Sequence, residues 1–256
     1  MNAVRSVARR LLPQPVRSRI SRALKDRSSY NTLQYVSSRE ASLEVTPDLV
    51  LSHYRLKKSH IFFLQVGAFD GVTYDAIFPL VERYQLHGVL VEPQPEYFSK
   101  LKNNYSRFDP SRFKFVNAAI TEKDGEIPLY RVDSSASVPG YLQGSASFDK
   151  QVLLNGPYVR GLASLIKVEM VRSLSVQALF KEADISHVDL LQIDTEGYDA
   201  EILRLFDLKQ RKPAIVRFEH VHLSPQVLRR CLDSMIDLGY KVALGKEDVL
   251  SYNPEF

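Results

Sequence analysis

Cysteine is almost missing from the 256 residues: Cys231 stands alone, which excludes an internal disulfide and any zinc site built on cysteines. It falls in a helical pattern where core packing is its expected role, and a lone cysteine fits a reducing compartment. Long apolar runs are missing too. Nothing approaches the roughly eighteen residues a transmembrane helix needs, and no apolar stretch near the start is long enough for a secretory signal. Hydrophobic content of 45% and charged content of 25% match ordinary globular chains, so disorder throughout is excluded. The length suits one main α/β domain with a short appendage.

Acidic residues are scarce in one place. Residues 1–27 carry eight Arg or Lys against Asp26, a net of +7, and the whole chain is +4, which leaves −3 for residues 28–256. The body is therefore not basic, and a broad nucleic-acid groove is not expected. Val4, Val7, Leu11, Leu12, Val16, Ile20 and Leu24 thread the basic segment as two short amphipathic helices broken around Pro13 and Pro15. Such a segment suits an anionic membrane surface or a partner, though a solvated tail or an Arg-rich transit peptide has the same composition. The expectation is a cytoplasmic protein with peripheral membrane contact through residues 1–27. Residues 1–58 then form a basic extension and a capping helix opened by Thr46-Pro47-Asp48, and residues 59–256 form the main domain.

A third glycine is what the stretch IFFLQVGAFDG, residues 61–71, lacks. Residues 61–66 read as a buried strand, and Gly67 and Gly71 with Asp70 between them supply a turn where backbone can approach a ligand. The dinucleotide fingerprint G-x-G-x-x-G is not met. A helix over 74–83 is expected next, its free N–H groups facing a nucleotide-like ligand. Residues 87–91 form a second strand that ends in Glu92-Pro93. Pro93 cannot continue the ladder, so Glu92 sits at the carboxyl end of the strand, where open α/β sheets bind ligands. It lies 25 residues beyond Gly67, near the spacing of roughly 20 at which an acid meets a ribose.

Further strands alternate with helices. Residues 95–105 read as a helix and 113–120 as a strand, with Asn117 and the small Ala118 and Ala119 leaving room for a flat ring. Asp124-Gly125 turns into a strand over 126–132, read as a hairpin. Residues 133–165 are irregular, rich in Gly and Ser, and placed as a lid over a pocket. Strand 166–171 and helix 175–182 follow. Strand 188–193 ends in Asp194-Thr195-Glu196-Gly197, then helix 198–205 carries Asp199 and Glu201 as helix-start charges. Strand 214–218 closes in Glu219-His220-Val221-His222, which reads as a base cluster, a ligand set for a metal, or ordinary strand-end polar groups; no metal is assigned. Ser224-Pro225 opens a helix over 227–238, and residues 240–244 with 248–252 form a terminal antiparallel hairpin. The alternation argues a doubly wound, mostly parallel sheet with helices on both faces.

With these elements in order, the chain resembles the FkbM-type methyltransferases in FLQVGAFDG, GVLVEPQPEYFSKLKNNY, NAAI, VDLLQIDTEGYDAEIL, FEHVHLS and LGY…DVLSY, spanning about residues 59–252. The resemblance implies a Rossmann-like class I methyltransferase fold and S-adenosyl-L-methionine as cofactor. It implies that the turn containing Gly67, Ala68, Asp70 and Gly71 contacts the methionine part, that Glu92 followed by Pro93 holds the ribose, that Asn117 and Ala118 lie near the adenine, and that Asp194 and Glu196 border the reacting centre. One position departs from the general methyltransferase pattern: two residues before Gly67, where an acid is common, stands Gln65. The implied reaction is O-methylation of a sugar, glycolipid or natural-product hydroxyl, with Asp194, Glu196 and His220 as candidates for the base an alcohol acceptor needs. A small-molecule or glycan acceptor is expected, and nucleic acid is not. A nicotinamide-dependent enzyme and a cofactor-binding scaffold without chemistry are the alternatives, the first weakened by the missing glycine.

Overall fold

The computed structural model describes residues 47–55, 58–133, 138, 142, 144–155 and 163–255. The basic segment and the linker expected before residue 47 lie outside the described residues, as does a large part of the irregular 133–165 segment. Seven strands make the central sheet: β1 (Phe62–Val66), β2 (His87–Val91), β3 (Phe113–Val116), β8 (Leu190–Ile193), β9 (Ile215–Glu219), β10 (Lys241–Leu244) and β11 (Asp248–Tyr252), side by side in the order β3-β2-β1-β8-β9-β11-β10. Neighbours from β3 to β9 are parallel, and β11 runs antiparallel to both β9 and β10. The mostly parallel sheet and the terminal hairpin are thus as expected.

Parallel strands covered on both faces should be apolar without alternation. After partly exposed first residues, β1 and β2 are buried throughout, and β8 is buried along its whole length. Phe63, Leu64, Leu90, Leu190 and Phe218 are at most 1% exposed, and each such side chain contributes roughly 1.5–3 kcal/mol of burial. The helices are α1 (Pro47–Tyr54), α2 (Phe78–Tyr84), α3 (Pro95–Tyr105), α4 (Lys150–Asn155), α5 (Val176–Glu182), α6 (Asp199–Phe206), α7 (Leu208–Arg211) and α8 (Pro225–Asp237). Ser175 and Ser224 cap α5 and α8 by accepting from the backbone N–H of the third residue of each helix, Ala178 and Val227.

Three expectations need correction. The first helix begins at Phe78, because Asp75 Oδ1 accepts from the N–H groups of Ile77 and Phe78 at 2.6 and 3.1 Å and Tyr74 takes a left-handed φ of +58°. Those N–H groups are consequently not free for a ligand. The strand expected over 113–120 is split: Asn117 Nδ2 donates to the carbonyls of Glu92 and Pro93, and β4 (Ala119–Ile120) leaves for a second sheet. That sheet has the order β4-β7-β5-β6, built from β5 (Gly125–Val132), β6 (Ala146–Ser147) and β7 (Ile166–Leu174). The expected hairpin after Asp124-Gly125 is therefore not local. β5 pairs antiparallel with β7, from Gly125 opposite Ser173 to Val132 opposite Ile166.

The amino-terminal edge of the sheet is tied by one carboxylate. Asp189, 4% exposed, accepts from Tyr54 Oη at 3.0 Å, Lys58 Nζ at 2.6 Å and the Phe62 amide at 2.8 Å. It joins α1 to the starts of β1 and β8. Truncation strands a buried hydroxyl and an amide together, so Asp189→Ala should lower unfolding free energy in urea by about 2–4 kcal/mol. Lys58 is partly exposed, and Lys58→Met should cost under about 1 kcal/mol; equal losses from the two variants would contradict this account.

Candidate active site

The carboxyl ends of four neighbouring strands are laced together by backbone. Glu92 N–H donates to Val116 O, the N–H groups of Gly67 and Ala68 both donate to Val91 O at 3.0 Å, and Asp194 N–H donates to Val66 O at 2.9 Å. Gly67 is indispensable to this lacing. Its φ is +82°, and a Cβ there would stand 1.7 Å from the carbonyl oxygen of Asp194. Gly71, at φ +72°, is glycine for a different reason, since a Cβ would strike Leu101 and Tyr105 of α3. Both glycines serve the packing of the turn.

A cleft of about 1100 Å³, counted out to its open mouth, lies over these strand ends. Gly67, Ala68, Glu92, Pro93, Ala118, Asp194 and Glu196 line it, while Asp70, Gly71, Asn117 and His220 do not. Asp70 instead shapes the turn by accepting from the N–H groups of Val72 and Thr73 and from the Thr73 hydroxyl. His220 lies beside the β10–β11 connection, its Nε2 at 3.2 Å from Gly245 O.

Glu92, 3% exposed, is held by two backbone donors, Phe69 N–H to Oε2 and Gln94 N–H to Oε1, both at 2.8 Å. Burial pushes its carboxyl up to about 7 against those bonds. Each of its oxygens retains a lone pair for a ligand hydroxyl. Phe69 itself packs on Tyr97 with ring centroids 4.1 Å apart. Gln65, at the position where the general methyltransferase pattern commonly has an acid, lines the cleft, and its Nε2 donates to Asp75 Oδ2 at 2.9 Å. An acid thus stands beside Gln65 in the cleft, Asp75, whose carboxyl burial pushes up.

The opposite wall is acidic. Burial raises Asp194 well above the carboxylate range, and Asp199 and Glu196 add to the shift. Asp199 was expected to be a helix-start charge, but it is 0% exposed and its Oδ2 accepts from Thr195 Oγ1 and Gly197 N–H. It holds the turn in which Glu196 takes φ +53° and Gly197 φ +102°. Burial pushes Asp199 up to about 6. Glu219 is likewise raised, by burial first and then by Asp194 and Glu196.

His222 is the residue that sequence reasoning passed over in favour of His220. β9 ends at Glu219, and the next turn, closed by Leu223 N–H to His220 O at 3.0 Å, sends His222 back beneath the strand end. Its Nε2 lies 2.9 Å from Glu196 Oε2 and 3.7 Å from Glu219 Oε2, and the bond to Glu196 raises its pKa against the opposing effect of burial. The signal was the Leu-Ser-Pro that follows, which ends the strand early enough for a turn.

The residues fit a cationic, donor-rich cofactor. Among the residues lining the cleft Asp75, Glu92, Asp194 and Glu196 face one basic residue, Arg217, and that guanidinium is paired with Asp248 at 2.5 Å. Buried oxygens without a hydrogen-bond partner include Gln65 Oε1, Gln94 Oε1 and Gln192 Oε1, all on cleft residues and all acceptors. An adenosyl sulfonium with its ammonium, amino and hydroxyl groups supplies donors and positive charge.

Strand order, the antiparallel β11 and the strand-end cleft make a Rossmann-like fold of the class I methyltransferase type. A family model described as the methyltransferase FkbM domain matches residues 65–242. The chain belongs to that family. Among solved structures it is similar to a methyltransferase FkbM from Methylobacillus flagellatus KT (11% identity, TM-score 0.48, covering 76% of this chain and 44% of that one). It is also similar to the METTL16 MTase domain (11%, 0.44, 80% and 65%) and to a precorrin-6y C5,15-methyltransferase from Geobacter metallireducens GS-15 (11%, 0.38, 85% and 91%). The chain thus spans less than half of the first and about two thirds of the second, and likenesses at this level say nothing of the acceptor. No curated protein matches the sequence.

Because Gly67 has no room for a side chain, Gly67→Ala should separate β1 from β8, cost more than about 2 kcal/mol in urea unfolding and abolish ligand binding in the cleft. Gly239 has nothing within 4 Å of an added Cβ, so Gly239→Ala should cost about 1 kcal/mol from its φ alone and spare ligand binding. A Gly67→Ala protein as stable as the wild type would refute this reading.

Proposed function

We propose that this chain is an S-adenosylmethionine-dependent methyltransferase that methylates a hydroxyl oxygen on a sugar, glycolipid or natural product. The observation that carries the cofactor assignment is Glu92, a buried carboxylate at the end of β2, fixed by two backbone donors and opening on the cleft beside Gly67 and Ala68. It accepts from the ribose hydroxyls. Ala118 and Ile120 form an apolar wall for the adenine, and Asp194 and Gln192 accept from the methionine ammonium. When bound, the cofactor supplies an electrophilic methyl on a sulfonium.

The chain's own task is to hold the acceptor oxygen in line and remove its proton. Glu196 is the proposed base. Its Oε2 is engaged by His222 at 2.9 Å, which leaves its second oxygen for the hydroxyl proton. Asp194 carries a raised pKa and stays protonated more readily, so it is better suited to hydrogen bonding than to proton removal. Residues 144–148, which include the edge strand β6 of the second sheet, close the acceptor side. The acid excess of the cleft disfavours a phosphate backbone.

Calorimetry should show S-adenosylmethionine binding to the whole chain, and absence of binding overturns the assignment. The pH dependence has a defined sign. Ionised Glu92 is the form that accepts both ribose hydroxyls, so affinity should rise with pH through about 7 and fall below it. Glu92→Gln should flatten that step and weaken binding by on the order of tenfold to a hundredfold above it. Glu196→Gln should keep cofactor binding and lower turnover by roughly 10²–10⁴-fold. The readout is the gain of one CH₂ on hydroxylated glycans or lipids, and undiminished turnover by this variant would remove Glu196 as the base.

A further inference from the structure

We propose that Glu196, Glu219 and His222 bind a divalent cation of the Mn²⁺ or Mg²⁺ type, whose open coordination positions receive hydroxyl oxygens of the acceptor. One ligand atom from each of the three residues lies within 4.8 Å of the other two. Around a divalent ion with ligand bonds of about 2.0–2.2 Å, neighbouring octahedral ligand atoms stand about 3 Å apart and only an opposite pair reaches about 4.4 Å; His222 Nε2 already lies 2.9 Å from Glu196 Oε2 and 3.7 Å from Glu219 Oε2, so the set closes with a shift of the Glu219 carboxylate of under about 1 Å. Two carboxylates and one imidazole leave three positions of an octahedron open. That donor set suits Mn²⁺, which accepts oxygen and nitrogen ligands together.

The ligands are positioned by elements that pack independently of any ion. Glu219 is the last residue of β9. The Glu196 carbonyl accepts from Ser147 Oγ at 3.0 Å. An added Cβ at Gly197 would meet His222 Cβ at 3.2 Å, so the two turns are in contact. Two further observations point to a missing cation. Glu219 Oε2 is shut off from solvent without a hydrogen-bond partner. Asp199 Oδ1, on a residue 0% exposed, is also without one, and Asp199 is near enough to act electrostatically on both Glu219 and His222. Arg217 is already paired with Asp248.

The role of the ion rests on the proposed methyl transfer, because a metal-held hydroxyl ionises more easily and is oriented by the same contact. Its binding does not. The test strips the full-length protein with EDTA and titrates MnCl₂, following free Mn²⁺ by electron paramagnetic resonance, with S-adenosylmethionine affinity measured separately by calorimetry. Wild type should take up one Mn²⁺. Glu219→Gln and His222→Ala should each weaken uptake by more than roughly tenfold while S-adenosylmethionine affinity changes less than about threefold. Should one variant fail to fold by circular dichroism, the other and the half-exposed Glu196→Gln give the same readout. No Mn²⁺ uptake by wild type, or uptake unchanged in the variants, overturns the metal site and leaves the cofactor reading standing; Mn²⁺ uptake without S-adenosylmethionine binding sinks the cofactor reading alone.

Discussion

The approach of the Gly67 backbone to the Asp194 carbonyl is the contact on which the site is built. A side chain at Gly67 would need space already occupied by that oxygen, so the ends of β1 and β8 lie closer than any other residue type would permit. From there each strand end donates to its neighbour: Asp194 to Val66, Gly67 and Ala68 to Val91, Glu92 to Val116. Each bond contributes only about 1 kcal/mol net. Their value lies in geometry, because they fix Glu92 on one side of Gly67 and Asp194 on the other without a flexible loop between them.

Crowding carboxylates at one sheet edge has an electrostatic cost, and the fold offsets it locally. Glu92 takes two backbone donors, Asp75 takes two backbone donors and Gln65, and Asp199 takes Thr195 and Gly197. These bonds lower each pKa against the rise caused by burial. The field of Asp194 adds to the rise at Glu219, and Asp199 and Glu196 add to the rise at Asp194.

Where local chemistry fixed an element, the sequence revealed it. Pro93 and Pro95 delimit β2 and α3, whose observed bounds match those expected, and Glu92 follows as a strand-end acid. Asp194 and Glu196 were legible for the same reason. What failed depended on partners distant in sequence. Asn117 stops β3 because Glu92 and Pro93 present carbonyls to its amide, and β5 finds its partner in β7 across the irregular segment. Asp75 was invisible because nothing local distinguishes an acid that caps a helix from one within it. The choice between His220 and His222 turned on the three residues after β9: had the strand run on through His222, the turn that brings that ring to Glu196 could not have formed.

The second sheet closes over the strand ends of the first. Its residues touch both halves of the cleft: Gln94 Nε2 donates to Gly144 O on the Glu92 side, and Ser147 Oγ donates to Glu196 O on the acidic side. Segment 144–148 therefore spans from cofactor support to proposed base, and a change there alters the space above the strand ends without disturbing their lacing. The long strands β5 and β7 carry this bridge on a rigid antiparallel pair, while Val168 and Met170 leave part of β7 exposed to solvent. Under the proposed methyl transfer, the central sheet, with no tolerance at Gly67, would set the geometry of the methyl donor and the inserted sheet the shape of the acceptor space. On that reading, acceptor specificity could change in the insert while the strand ends, laced by backbone bonds, stay fixed.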